Sequence, residues 1–277
     1  MNNGIRVYLS GGLGNQLYQY HFALLLKKIS GLDVILDHSI YSTPFEKRKL
    51  LFDTYGVNCQ LPCGQGLILF IYRKLCLKFG YTNDILTDAD GLLNHRGKRH
   101  AVGYWQDVPL DAECIQNIRL SLTTPLKAAL HQDIAMQIGK SDCCIHVRRG
   151  DYGQGKNKDI YVSLPNSYFQ ECFSQARSLL HVKTAYIFSD DIDWCKQNFE
   201  FDADVIFVDW TRSALEDFYL MMKFQTLIIS NSTFSLWAAI LSQEKTNVYC
   251  PSKWLKAKAW TPQYYKHWTR VDVNDQV

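Results

Sequence analysis

Cys143-Cys144-Ile145-His146-Val147-Arg148-Arg149-Gly150-Asp151-Tyr152 decides the class of this chain. The apolar run from Cys143 to Val147 has the length of a buried strand, and it opens into two guanidiniums, a glycine and a carboxylate. An α/β protein keeps its ligand at such a strand end. If the backbone stays extended, Arg148 and Arg149 project to opposite sides, so one can fork onto a phosphate while the other holds a carboxylate. The stretch from His146 therefore reads as an anion site. A surface arginine pair in a local ion-pair cluster is the plainer alternative.

Outward from this strand the same alternation recurs. On the C-terminal side a long loop leads to a helix opened by Pro165 in its first turn. Strand Thr184 to Phe188 follows, ending in Ser189-Asp190-Asp191, and then a short strand Val205 to Val208. Ser213-x-x-Glu216 has the form of a capping box for a helix through Met222. Strand Leu227 to Ile229 ends in Ser230-Asn231-Ser232-Thr233 with a helix behind it, and Asn247 to Tyr249 reads as the last strand. On the N-terminal side lie a helix-like stretch, Leu126 to Ile138, and the break Gly139-Lys140-Ser141-Asp142.

The start of the chain alternates in the same way: strand Ile5 to Leu9, glycine loop Ser10 to Gly14, helix from about Gln16 to Ser30, strand Val34 to Leu36. Two strands bracketing a helix form a crossover unit and imply a parallel sheet. Ala101 to Gln106 is strand-like and ends in the polar turn Asp107-Val108-Pro109. Between Asp37 and His100 the pattern weakens, with one helix expected over Leu67 to Phe79; an irregular stretch of this kind suits a variable substrate. Two α/β units, 1–139 and 140–277, are more economical than one very wide sheet.

A chain of 277 residues with 47% hydrophobic and 21% charged residues is long enough to bury a full core and too apolar for extended disorder. The formal charge of +3 argues against a dedicated nucleic-acid binder but permits one basic pocket for a phosphorylated ligand. The nine cysteines are odd in number and form no C-x-x-C pair, so they read as reduced, packed thiols. Met1-Asn2-Asn3-Gly4 runs straight into the first strand without a signal-like core, and the longest apolar run, Gly66 to Tyr72, is far below the ~20 residues of a membrane span. A cytoplasmic protein is expected.

Two further turns could meet a phosphate with backbone N–H groups. Ser10-Gly11-Gly12-Leu13-Gly14-Asn15-Gln16 follows the first strand, and Asn231-Ser232-Thr233-Phe234-Ser235 opens a helix. The first could be an ordinary turn, and the second a helix cap or, in a secreted protein, a glycosylation sequon. Gly150-x-x-x-x-Gly155-Lys156-Asn157 comes close to a Walker A loop but lacks the Ser or Thr for Mg²⁺ and the helix that must follow. Gly12-x-Gly14 with Asp37 hints at dinucleotide binding, yet Leu17 stands at the third glycine position. A non-catalytic sugar-binding protein would account for 13% aromatic residues but leaves the arginine loop without a task.

Four blocks carry a family resemblance. Gly11-Gly12-Leu13-Gly14-Asn15-Gln16-Leu17-Tyr18-Gln19-Tyr20, His146-Val147-Arg148-Arg149-Gly150-Asp151, Phe188-Ser189-Asp190-Asp191 and Ser230-Asn231-Ser232-Thr233-Phe234-Ser235 together resemble the bacterial α-1,2-fucosyltransferases of glycosyltransferase family 11. All four occur in the expected order and extend across most of the chain. The resemblance implies a GT-B-like architecture, two Rossmann-like domains facing a cleft, with the nucleotide on the C-terminal domain and most of the acceptor on the N-terminal one. It implies GDP-fucose as donor, inversion at the anomeric carbon, no metal or other cofactor, and a galactose-terminated glycan as acceptor, as in O-antigen synthesis.

Residue by residue, the resemblance puts Arg148 at the departing diphosphate, with Arg149 assisting or anchoring the loop. His146 would contact the nucleotide, or else be a core histidine. Asp190 or Asp191 would accept guanine N–H donors, one of the two serving instead as a helix cap. Asn231, Ser232, Thr233, Phe234 and Ser235 would line the diphosphate, and Gly12, Gly14 and Asn15 would approach it from the other domain. Asp151 is the first candidate for the general base, with Asp159 and Glu216 behind it. A related fucosyltransferase family places a glutamate ten residues after the motif histidine, and Lys156 stands there in this chain. The tail from Lys253 to Trp260 mixes basic and aromatic residues: it is either packed or docked peripherally at an anionic membrane, where an acceptor could be lipid-linked.

Overall fold

The computed structural model describes residues 4–51, 85–88, 94–128, 138–150, 157–210, 213–242, 246–257 and 261–273. The chain divides into two compact units, Met1–Pro125 and Leu126–Val277; the sequence reading puts the division near Gly139. Each unit is a parallel α/β layer, with helices packed on its sheet.

The first unit holds β1 (Ile5–Tyr8), β2 (Val34–Asp37), β3 (Ile85–Thr87) and β4 (His100–Val102) in the order β2-β1-β4-β3, all parallel. The helix Leu13–Ser30 makes the first crossover and buries Leu17, Tyr18, Phe22 and Leu26, an i, i+4 stripe that faces the core. Gly31 ends it in the left-handed conformation, its N–H returning to the Lys27 carbonyl.

The second unit holds β5 (Asp142–Val147), β6 (Thr184–Ser189), β7 (Asp204–Phe207), β8 (Thr226–Ile228), β9 (Asn247–Pro251) and β10 (Thr269–Val271) in the order β10-β9-β8-β5-β6-β7. From β5 the chain winds outward through β6 and β7, then returns to lay β8, β9 and β10 on the other side. That is the doubly wound Rossmann order, and its topological switch point lies between β5 and β8. All six residues of β5 are buried, as a central parallel strand covered on both faces must be. Cys143, Ile145 and Val147 pack with Tyr168, Phe169, Cys172, Phe173 and Ala176 of the helix Asn166–Leu180. His146, one step out of phase, turns to the opposite face, where Phe234 and Phe218 lie.

Several expectations shift. The first helix begins at Leu13 rather than near Gln16, so Gly14 is inside it. Pro165 is the N-cap of its helix, not a first-turn residue. A helix over Ala112–Ala128, capped by Asp111 through the Cys114 N–H, has no counterpart in the sequence reading. β3 and β10 are also new, so Asn247–Pro251 is not the last strand. The strand expected over Ala101 to Gln106 stops at Val102, because the N–H groups of Tyr104 and Trp105 turn away to the Asp88 carboxylate. Asn157–Ile160 forms one helical turn where none was expected. The expected helix over Leu67 to Phe79, and most of that over Leu126 to Ile138, lie outside the described residues.

The described cysteines, Cys114, Cys143, Cys144, Cys172, Cys195 and Cys250, are all free and buried. Burial pushes each thiol upward from its ordinary pKa. The packing on β5 yields a direct test. Phe169 is fully buried against Tyr168 and Phe199, so Phe169→Ala should cost about 3–5 kcal/mol in urea unfolding.

Candidate active site

The sheet order brings three polar strand ends to one edge. β6 and β8 flank β5, so the segments 147–150, 189–191 and 230–232 are neighbours at the C-terminal side of one sheet. The β5–β6 ladder runs to Val147 opposite Ser189, whereas the β5–β8 ladder stops at Ile145 opposite Ile228. Past that point the strands part, as they do at ligand crevices of doubly wound sheets.

His146 spans the gap. Its Nδ1 lies 2.8 Å from Ser230 Oγ, and its ring is 5.6 Å from that of Phe234. Burial, and then the positive charge of Arg148, lower its pKa to about 3, so at neutral pH the ring carries no charge.

Beyond it the two arginines divide. Arg148 Nη1 meets Asp190 Oδ2 at 2.9 Å, and both side chains are about a quarter exposed at 27%. The backbone N–H of Arg149 donates to the other oxygen of Asp190 at 2.9 Å. A Cβ at position 150 would collide with Asp190 Oδ2, so glycine is what lets the carboxylate in. Arg149 instead lays its guanidinium 3.8 Å over the Trp194 ring and donates to Ser163 Oγ at 3.1 Å. The sequence reading divides the pair, one arginine for a phosphate and the other for a carboxylate; the carboxylate is on Arg148, the one expected at the diphosphate, and Arg149 holds none of the described carboxylates through its side chain.

The other candidate residues of this unit have their own partners. Asp191 caps the helix Ile192–Asn198, its Oδ1 accepting the Trp194 N–H at 3.1 Å. Asn231 is buried and its Nδ2 donates to the Val162 and Trp254 carbonyls, clipping two loops to the sheet edge. Ser232 is the N-cap position of the helix Thr233–Leu241 without a side-chain cap bond, and the buried Ser235 hydroxyl donates back to its carbonyl. Ser213 accepts the Glu216 N–H at 3.3 Å, the serine half of the expected capping box. Asp159 is exposed on the turn Asn157–Ile160. Asp151 and Lys156 lie outside the described residues.

In the first unit the glycine loop is tied to its own surroundings. Gly11 donates to Glu46 Oε2 at 2.9 Å and accepts from Gln16 Nε2 and the Tyr41 hydroxyl. Gly12 is the N-cap of the first helix, Gly14 is buried in its first turn, and Asn15 Oδ1 accepts from Gln106 Nε2 at 3.1 Å. Buried Gln16 and Gln19 carry much of this network; the sequence reading quotes both within the first motif block but gives neither a role, and amides spaced three apart in an otherwise apolar helix face were the available signal. Trp254 is buried, so the tail's first aromatic is packed; 258–260 are outside the described residues. Among the described residues no helix is long and apolar enough to cross a membrane, and no three His, Cys, Asp or Glu side chains gather as metal ligands.

The family model of glycosyl transferase family 11 matches residues 86–272. Two Escherichia coli proteins, an alpha-1,2-colitosyltransferase and the O-antigen biosynthesis glycosyltransferase WbnK, are each 25% identical over 285 residues. The alignments cover 90% and 89% of this chain and 97% and 93% of those proteins. Galactoside alpha-(1,2)-fucosyltransferase 1 of Mico humeralifer is 30% identical over 248 residues, covering 85% of this chain and 65% of that one. Among solved structures, the fucosyltransferase NodZ from Bradyrhizobium superposes with a TM-score of 0.51 at 15% identity, over 87% of this chain and 94% of that one. At such identity the likeness speaks for the fold alone, and that fold is the α/β, GT-B-type build expected from the sequence.

Two outcomes follow from the geometry of this edge. An unfolded histidine titrates near 6.5, and between that value and His146's folded value of about 3 only the unfolded chain takes up the proton. Stability therefore falls as pH drops through this window. From pH 7 to pH 5 His146 should cost about 2 kcal/mol in urea unfolding. His21, lowered to about 4 chiefly by burial, adds in the same direction, and His146→Gln should remove only the first share. Asp191→Ala should cost about 1 kcal/mol of thermal stability through the lost cap, with or without a nucleotide present.

Proposed function

This chain belongs to glycosyltransferase family 11, and from that premise we propose that it transfers L-fucose from GDP-β-L-fucose to the 2-hydroxyl of a terminal galactose, inverting the anomeric carbon. The observation that carries the reading is the Arg148 guanidinium, fixed by Asp190 just past the point where β5 and β8 part. The names of the relatives support the α-1,2 linkage, the galactoside acceptor and an O-antigen setting.

As the bond from fucose C1 to the diphosphate breaks, negative charge grows on the leaving phosphate and the sugar becomes oxocarbenium-like. Arg148 stabilises that charge with fixed N–H donors, in the manner of an oxyanion hole and without a metal ion. Asp190 sets the direction of the guanidinium, and neutral His146 adds no competing charge at the crevice. Asp191 is committed to its helix cap and Asp190 to Arg148, so neither is assigned to the guanine donors. The Ser232 hydroxyl, which makes no cap bond, and Thr233, at the start of the helix Thr233–Leu241, turn to the diphosphate. The C-terminal unit holds the donor, with Gly12, Gly14 and Asn15 of the N-terminal unit approaching its diphosphate, and the N-terminal unit meets most of the acceptor. Asp151, three residues after Arg148, takes the proton from the acceptor hydroxyl; Asp159 and Glu216 stand as the other carboxylates for that role. A lipid-linked acceptor would bring the chain to an anionic surface through the tail's basic residues.

A second reading changes only the donor sugar. The colitosyltransferase relative aligns over nearly its whole length, so colitose from the corresponding GDP-sugar is the competing substrate. A site that hydrogen-bonds the 3-hydroxyl of fucose would discriminate strongly against a sugar lacking it, and kcat/KM for the two donors decides.

GDP release from GDP-fucose should depend on a galactoside acceptor and be unaffected by EDTA. Arg148→Lys keeps a charge but loses the planar fork. It should lower kcat on the order of 10²–10³-fold; retention of full turnover would remove Arg148 from the reaction.

A further inference from the structure

The bend after β4 is built more firmly than the sheet needs. Trp105 has φ of 61°, a left-handed conformation that a bulky residue keeps only where its surroundings over-determine it. Here they do. Asp88, one residue past β3, accepts the Trp105 N–H on one carboxylate oxygen at 2.6 Å and the Tyr104 N–H on the other at 3.0 Å. A Cβ on residue 103 would sit 2.5 Å from the same carboxylate, so glycine makes room for it. The Gly103 carbonyl is held by Gln19 Nε2 at 2.9 Å. The Trp105 ring is buried and lies flat on Phe22, with centroids 3.8 Å apart and planes 5° from parallel.

Tyr104 stands between these fixed neighbours and is 44% exposed. Its backbone is immobilised before any ligand arrives, which removes much of the ordering cost of a contact. A second phenol lies near it. The Tyr41 hydroxyl donates to the Gly11 carbonyl at 2.7 Å and lies close enough to Tyr104 for the two phenols to interact electrostatically. Glu46 holds the Gly11 N–H, and Gln106, two residues beyond Tyr104, donates to Asn15 in the first turn of the first helix. A half-exposed flat ring on a fixed backbone, with a second phenol near it, matches a pyranose, which has one C–H face and a rim of hydroxyls.

We propose that Tyr104 is the platform on which the acceptor sugar stacks, and that Asp88 is the positioning residue that holds it out. The proposal rests on the transfer reaction above and assigns its acceptor side to named residues of the first unit. Tyr104→Phe keeps the ring and Tyr104→Ala removes it.

The experiment measures full-length wild type, both variants and Asp88→Asn against disaccharides ending in β-galactose that differ in the second sugar. Tyr104→Ala should raise acceptor KM roughly tenfold, leaving donor KM and acceptor-independent GDP release unchanged, and Tyr104→Phe should restore acceptor KM. Asp88→Asn should give the same split, and combined with Tyr104→Ala it should add little, because it acts through that ring. An unchanged acceptor KM in Tyr104→Ala overturns the proposal, as does an equal rise in donor KM. If wild type releases no GDP with any acceptor, the transfer reading fails by itself. Saturation-transfer NMR on the same disaccharides then decides: transfer present in wild type and lost in Tyr104→Ala upholds the platform, and no transfer, or transfer unchanged, removes it. Should Asp88→Asn fail to fold, the two Tyr104 variants decide alone.

Discussion

The two ladders of β5 end at different heights, and the polar edge of the second unit depends on that offset. On one side the strand stays bonded to β6 through Val147; on the other it releases β8 after Ile145. Backbone hydrogen bonding between β5 and β8 thus ceases while the surroundings are still buried, and a side-chain contact joins the two segments beyond it. His146 and Ser230 make it. An imidazolium here would lack water and face the Arg148 charge, so the ring that makes the contact is neutral.

One step further along the chain, two chemically identical side chains acquire different work. Arg148 is bound to a carboxylate that also accepts the N–H of Arg149, so the backbone and the first guanidinium are fixed by the same group. Arg149 leaves for an aromatic face and a serine hydroxyl. An alternating strand end separates adjacent side chains, and the length of the residue at 150 settles whether Asp190 can come close enough to sort them.

The second sheet was legible from local pattern because its strands are short apolar runs ending in polar turns, and because their neighbours in sequence are mostly neighbours in space. The motif residues were legible for the same reason: His146, Arg148, Asp190 and Ser230 all sit where apolar periodicity stops. What escaped was decided at a distance. Trp105 reads as a strand residue until Asp88, 17 positions earlier, claims its N–H. β3 and β10, at three residues each, are too short to carry a period and exist through their partners, β4 and β9. The helix Ala112–Ala128 did leave a trace, since Cys114, Ile115, Ile118 and Leu122 form a buried stripe. The division between Asp190 and Asp191 could not be read from a doublet, because only the direction of the following helix tells which one caps it.

The buried thiols have a consequence for how the protein meets its surroundings. Oxidation or alkylation of cysteine requires a thiolate and a path for the reagent. Among the described residues, every sulfur is denied both, two of them within β5 itself. Sulfur serves this fold as soft, space-filling matter, and the redox state of the compartment has no chemical handle on the strand from which the arginine loop hangs.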